Sequence, residues 1–331
     1  MIEVSKISNL IKTCLAGLSP RQKEIIEGRY GLTGGETLTL AELGGKYDLT
    51  RERVRQIEAI ALKVSKSKAG EPDFADFTKT VAATLKNSGG VKREDLLIDE
   101  LGGASQANRL KFLLEIADRF SVSKDTKNFY PYWYLSEADK KKAESFLAHL
   151  IKNADRSNFV GSFAAAARNF GLGESIARNY ASVSKKIAMN VYGALGLAEW
   201  PEINPKTARD WAYLVLKKGG QPLHFTDIAE KVTELRGKRS HAPTVHNELI
   251  KDDNFVLVGK GTYTLKEFGV IPGTARELIS HFLKKGGPLK AAEIVKLVLR
   301  ERLFKENTVL INLQNRKNFK RLGDGRYTTL V

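Results

Sequence analysis

Apolar residues recur at three- and four-residue intervals through most of the 331-residue chain, broken by a few short extended runs flanked by glycine. That pattern predicts a mainly α protein with small β-hairpin wings. Near the N-terminus, Leu40, Leu43 and Tyr47 make the apolar side of a short helix, Asp48-Leu49 makes a tight turn, and Thr50 caps the next helix. In that helix Val54, Ile57, Ala61 and Val64 form an inward stripe, which turns Arg51, Glu52, Arg55 and Gln56 outward in its first two turns. Two helices joined this way form a helix-turn-helix whose second helix meets base edges with its N-terminal end. The side chains suit that use: Arg bonds guanine O6/N7 bidentately, Gln bonds adenine N6/N7, and Glu accepts from cytosine N4.

The C-terminal third is an internal duplication. ARDWAYLVLKKGG (208–220) and ARELISHFLKKGG (275–287) share seven of thirteen residues, and TVHNELIKDDNFVLVGKGTYTL (244–265) and TVLINLQNRKNFKRLGDGRYTT (308–329) share nine of twenty-two. A spacing near 65 residues exceeds the common solenoid repeats, so each copy reads as a small domain. The first helix (206–218, 274–285) ends in Lys-Lys-Gly-Gly, with cations on its C-terminus and glycine to stop it. A second helix carries Ile228 and Val232, or Ile294 and Val298, at i, i+4, and a third is expected to start at Thr244 or Thr308 as N-cap. Each copy closes with a hairpin turning at Gly259-Lys260-Gly261 or Gly323-Asp324-Gly325. Three helices and a two-stranded wing describe a winged helix.

The middle repeats this grammar more faintly. Helices are expected at 74–86 and 108–120, and the aromatic run 129–135 reads as the returning strand of a wing or as a base-stacking platform. Helices are also expected at 137–152, 159–170 and 175–195. With breaks near 66–73, 199–206 and 266–273, the expected organisation is a helix-turn-helix domain (1–70) followed by tandem winged-helix domains. These are 71–138, a helical and degenerate copy at 139–204, 205–269 and the diverged copy 270–331.

Charge sharpens the picture. The formal net charge is +16, and residues 201–331 hold 24 basic side chains against 14 acidic ones. Such a segment favours a polyanion as partner. A single cysteine and five scattered histidines exclude a disulfide framework and a thiolate cluster, and give no metal-ligand spacing. No apolar run reaches the length of a membrane span and the N-terminus lacks a signal-peptide pattern, so a cytoplasmic, nucleoid-associated protein is expected. Gly259-Lys260-Gly261-Thr262 lacks the upstream glycine of a phosphate loop and reads as a wing turn. No catalytic residue, metal, cofactor or small-molecule substrate is expected, and no enzymatic activity.

The strings LSPRQKEIIEGRYGL (18–32) and TLAELGGKYDLTRERVRQIEAIALKVS (39–65) closely resemble region 4 of sigma-70 family transcription initiation factors. The resemblance covers residues 18–66 and implies base reading by Arg51, Glu52, Arg55 and Gln56. It places Arg21, Arg29, Thr50 and Arg53 near phosphates, and implies a second partner, the β-subunit flap of RNA polymerase. The region 2 pattern of a complete sigma factor, with exposed aromatics on a basic helix, is absent from this sequence. Independent promoter opening is therefore not expected. GGQPLHFTDIAEKV (219–232), followed by 244–265, resembles the HARE-type winged helix found in the RNA polymerase delta subunit, in chromatin-associated proteins and in restriction-enzyme fusions. That resemblance implies DNA contacts from the third helix and wing, at Arg239, Lys260, Arg316, Lys317 and Arg326, with basic stretches at 236–239 and 300–305 just ahead of those helices.

The leading expectation is a transcription regulator that binds double-stranded promoter DNA and contacts RNA polymerase. The same residues admit two other readings: a polymerase-interacting accessory protein that reads no sequence, and the DNA-recognition chain of a restriction or defence system.

Overall fold

The computed structural model describes residues 1–271, 273–301 and 304–330, so part of the basic stretch 300–305 lies outside the described residues. The chain is mostly helical with small antiparallel sheets and divides into two compact units. The first holds residues 1–188 and 195–198, and the second holds 189–194 and 199–331.

The first unit opens with α1 (Val4–Leu15), α2 (Pro20–Tyr30), α3 (Leu40–Tyr47) and α4 (Arg51–Ser67). Capping boxes start two of them, Ser19 with Gln22 on α2 and Thr39 with Glu42 on α3. Next come α5 (Pro72–Asn87), β1 (Val91–Arg93), α6 (Glu94–Gly102), α7 (Ala107–Ala117), β2 (Ser121–Ser123) and β3 (Tyr132–Tyr134). Here β3 lies between β1 and β2. The break expected at 66–73 is a single 3-10 turn and does not end the core. One apolar cluster runs from Ile7, Leu10 and Leu15 through Ile26 and Ala61 to Phe74, Leu101, Phe112 and Trp133. α1 and the inner sides of α2 and α4 thus share this core with the 71–138 module across residue 70, while the helix-turn-helix keeps a small core of its own. Tyr132, Trp133 and Tyr134 are buried in the central strand, so they serve the core and not a stacking platform.

Cys14 sits inside this cluster, where burial pushes its thiol up to about 12 from the ordinary 9.0. It therefore stays protonated at neutral pH, and thiolate is the reactive form. The native protein should resist iodoacetamide at pH 8 and react only when unfolded, as counted by mass spectrometry. The stability this thiol contributes is present below pH 9 and erodes as pH rises toward 12.

The 139–204 segment contributes α8 (Glu137–Lys152), α9 (Phe159–Asn169) and α10 (Glu174–Val183), then the paired strands β4 (Ile187–Met189) and β5 (Leu195–Leu197). The helix expected over 175–195 therefore stops at Val183. Asn190 makes the turn beyond it, its side-chain oxygen accepting from the backbone N–H groups of Tyr192 and Ala194, with Gly193 at φ 79°. Such an Asx turn offers the backbone an alternative to helix.

The second unit repeats one order twice. First come α11 (Ala208–Gly219), β6 (Leu223–His224), α12 (Phe225–Arg236), α13 (Ala242–Lys251), β7 (Phe255–Gly259) and β8 (Thr262–Leu265). Then come α14 (Ala275–Gly286), β9 (Leu289–Lys290), α15 (Ala291–Glu301), α16 (Glu306–Leu313), β10 (Phe319–Arg321) and β11 (Arg326–Thr329). In both sheets the last strand is central, and matching residues fill both cores: Ile228 and Ile294, Val232 and Val298, Val245 and Val309, Phe255 and Phe319. The turns use the left-handed region at Gly261 (φ 62°) and Gly325 (φ 82°). Thr244 and Thr308 prove to lie in the first turns of α13 and α16; the N-caps are His241 and Lys305, neither with a capping side chain. The short strands β6 and β9 carry no alternation long enough to read from sequence.

Candidate nucleic-acid interface

α2, α3 and α4 pack around Ile25, Leu43 and Val54, with Leu38, Leu40, Tyr47, Leu49 and Ile57 filling the edges. Asp48 closes α3 in the left-handed conformation (φ 55°), and the N–H of Leu49 donates to the carbonyl of Gly44 at 2.8 Å. A Cβ on Gly44 would stand 2.6 Å from the Leu49 carbonyl oxygen, so glycine lets the turn fold back onto α3. Thr50 then caps α4, its hydroxyl accepting from the N–H of Arg53 at 3.2 Å.

This geometry leaves Arg51, Glu52, Arg53, Arg55 and Gln56 exposed over the first turns of α4. Two pairs organise them. Arg55 donates twice to the Glu52 carboxylate, at 2.9 and 2.6 Å, and Arg53 donates to the Gln56 side-chain oxygen at 3.2 Å. The Arg55 hydrogen bonds hold the Glu52 carboxyl below its usual range. Both pairs are solvent-exposed, so they are weak and exchangeable. Arg51 lies at the positive end of the helix.

The positions expected near phosphates behave differently from one another. Arg21 stacks over the Tyr47 ring at 4.2 Å and reaches Glu24 at 3.6 Å. Thr50 is occupied as a cap. Arg29 has a structural commitment: its Nε donates to Glu58 at 3.2 Å and its Nη1 to the Leu38 carbonyl at 3.1 Å, tying α2 to α4 and to the segment entering α3. Ala59, Ile60 and Lys63 continue the exposed face of α4 beyond Gln56. Their signal was helical spacing from Glu52, Arg55 and Gln56, and reading only the first two turns passed over it.

The opposite face of α4 is sealed. Ala61 and Ser65 are buried, and the Ser65 hydroxyl donates to the Cys14 carbonyl at 3.0 Å. Lys66 pairs with Asp118 at 2.7 Å, Arg109 donates to the Leu32 carbonyl, and the Tyr30 hydroxyl donates to Glu115. These contacts hold the helix-turn-helix on α7 with its charged face free.

In the second unit, Arg239 is exposed in the loop before α13 and Lys260 at the β7–β8 turn. Arg316 and Lys317 are exposed in the turn before β10, and Arg326 begins β11, held by Asp324 at 2.6 Å. Among the described residues no helix is long and apolar enough to cross a membrane, and no cluster of three or more His, Cys, Asp or Glu is placed to hold a metal ion.

An exposed polar helix start, set by a tight turn on a small three-helix core, defines a helix-turn-helix. Residues 14–64 match the family model described as sigma-70, region 4. Over 65 residues the chain is 48% identical to the RNA polymerase sigma factor SigA1 of Synechococcus elongatus, covering 18% of this chain and 16% of that protein. It is 46% identical over 63 residues to SigA of Microcystis aeruginosa, covering 18% and 15%. To the chloroplastic sigma factor sigF of Arabidopsis thaliana it is 44% identical over 54 residues, covering 16% and 10%. The chain thus matches about a sixth or less of the length of these relatives.

Proposed function

We propose that this protein is a transcription regulator that reads promoter-like double-stranded DNA through α4 and contacts RNA polymerase through the same domain, at the β-subunit flap. The observation that carries the reading is the exposed start of α4, with Arg51, Glu52, Arg55 and Gln56 on a sigma-like helix-turn-helix. The modules that follow, three helices with a small antiparallel sheet, act in this reading as winged helices, those at 205–269 and 270–331 being of HARE type. The protein works by binding, without catalysis or cofactor, in the cytoplasm on the nucleoid.

Site selection from random duplexes tests it. Arg55→Ala and Gln56→Ala are each expected to lose about 1–3 kcal/mol of discrimination between the selected site and single-base variants. Absence of any preference in the wild type, or an unchanged preference in both variants, overturns base reading.

A second reading, a polymerase-binding protein that reads no sequence, is favoured by the internal pairing of Arg55 with Glu52 and Arg53 with Gln56. Capture of core polymerase at high salt separates the two, because phosphate contacts weaken steeply with salt and an apolar contact does not.

A further inference from the structure

We propose that Arg53 determines specificity in α4 by holding the Gln56 side-chain amide in one orientation, the one that reads adenine. The proposal deepens the base-reading function above and rests on it. A place near phosphates alone would give Arg53 no part in choosing sequence; here it is a positioning residue that acts through Gln56.

A glutamine amide presents two unlike ends. Its oxygen only accepts and its nitrogen only donates, and a half-turn about the last side-chain bond exchanges them. On an exposed helix face that bond rotates over a broad, two-fold range. Base edges do not treat the two orientations alike. Adenine sets a donor at N6 beside an acceptor at N7, so it takes the amide oxygen and nitrogen together. The reversed amide opposes adenine at both atoms, yet it still donates to guanine O6.

The geometry of α4 settles the choice. Arg53 and Gln56, three residues apart, share one face of the helix, and Arg53 Nη1 lies 3.2 Å from Gln56 Oε1. A guanidinium has no acceptor, so the amide oxygen belongs at this contact and the nitrogen would meet it donor to donor. Glu52, one turn before Gln56, works on the other end. Its carboxylate accepts from Arg55 at 2.9 and 2.6 Å. Those bonds first, and the Gln56 side chain after them, hold its carboxyl below the usual range. An ionised carboxylate only accepts, so it selects the amide nitrogen. Reversing Gln56 would set donor against donor at Arg53 and acceptor against acceptor at Glu52. In the orientation held, the amide keeps a second lone pair and a second N–H, the two that adenine requires.

Among the described residues Arg53 has no carboxylate partner, and a single N–H holds Gln56. Its remaining donors are open to a phosphate, so a contact without sequence information steadies the residue that reads sequence. The bond is solvent-exposed in the free protein and weak there; it strengthens where the groove excludes water.

Site selection with the full chain tests this. The position read by Gln56 is the one whose preference is lost in Gln56→Ala, and there the wild type should favour adenine over guanine. Arg53→Met keeps a long side chain and removes its donors, and the N–H that Thr50 caps is backbone and stays. This variant should lower the adenine-to-guanine ratio at least about twofold, the low end of coupling between side chains in contact. Ratios at the other positions should hold while overall affinity falls. Arg53→Lys, still a donor, should keep the wild-type ratio, and in a Gln56→Ala background Arg53→Met should alter no ratio. The proposal is overturned by a ratio that Arg53→Met leaves unmoved, by an equal loss in Arg53→Lys, or by the same loss without the Gln56 side chain. A wild-type preference for another base at that position, or no position that depends on Gln56, also overturns it. Failure of base reading itself gives a different result, a wild type with no preference at any position, and the proposal then falls with it.

Discussion

Phe112→Ala is expected to lower the stability of the first unit by about 3–5 kcal/mol, the usual cost of removing a fully buried aromatic ring. Phe112 lies on α7 with no exposed surface, and its ring meets Tyr30 of α2 edge-on at 5.1 Å. Burial of the ring and the Glu115 partner push the Tyr30 phenol up from its ordinary range, while the hydroxyl and Glu115 lie at the surface. The cavity would open between the helix-turn-helix and the following module, and both should weaken together. Amide hydrogen exchange reads this directly: protection in α4 and in α5–α7 should fall in parallel. Loss confined to α5–α7, with α4 still protected, would show two independent cores.

Gly44→Val should disable the recognition helix with less damage to the rest of the fold. The added Cβ would stand 2.6 Å from the Leu49 carbonyl oxygen, a separation that real Cβ atoms essentially never show. Backbone cannot swing aside like a side chain, so the α3–α4 turn must open. Overpacking of this kind costs about 1–3 kcal/mol, and a displaced α4 no longer aims Arg55 and Gln56 together. Selected-site binding should drop far more than for Arg55→Ala alone, while the melting of the second unit stays unchanged. Wild-type affinity in a folded Gly44→Val protein would show that the tight turn does not set the helix.

The helix-turn-helix was legible because its determinants are close in sequence. Thr39 with Glu42, Asp48 in the turn, Thr50 as cap and the Val54–Ala61 stripe act within one or two helical turns of each other. The duplication was legible for a related reason, since matched core residues and turn glycines recur at constant spacing. Misread ends trace to local competition: Asn190 made a turn where apolar periodicity suggested helix, and Thr244 and Thr308 resembled caps but lie one turn inside.

By itself, then, the amino-acid order determined that Thr50 starts α4, which residues line the outer face of α4, and that the C-terminal third is built twice. Only tertiary structure decided that the N-terminal domain shares a core with the next module, and that Arg29 is tied to Glu58. It also decided that Val256 of β7 is covered while its counterpart Lys320 of β10 is open. The reason is physical. Helix starts and turns depend on neighbours a few residues away, whereas burial, charge pairing and the choice of which sheet face stays free depend on groups brought together from distant parts of the chain.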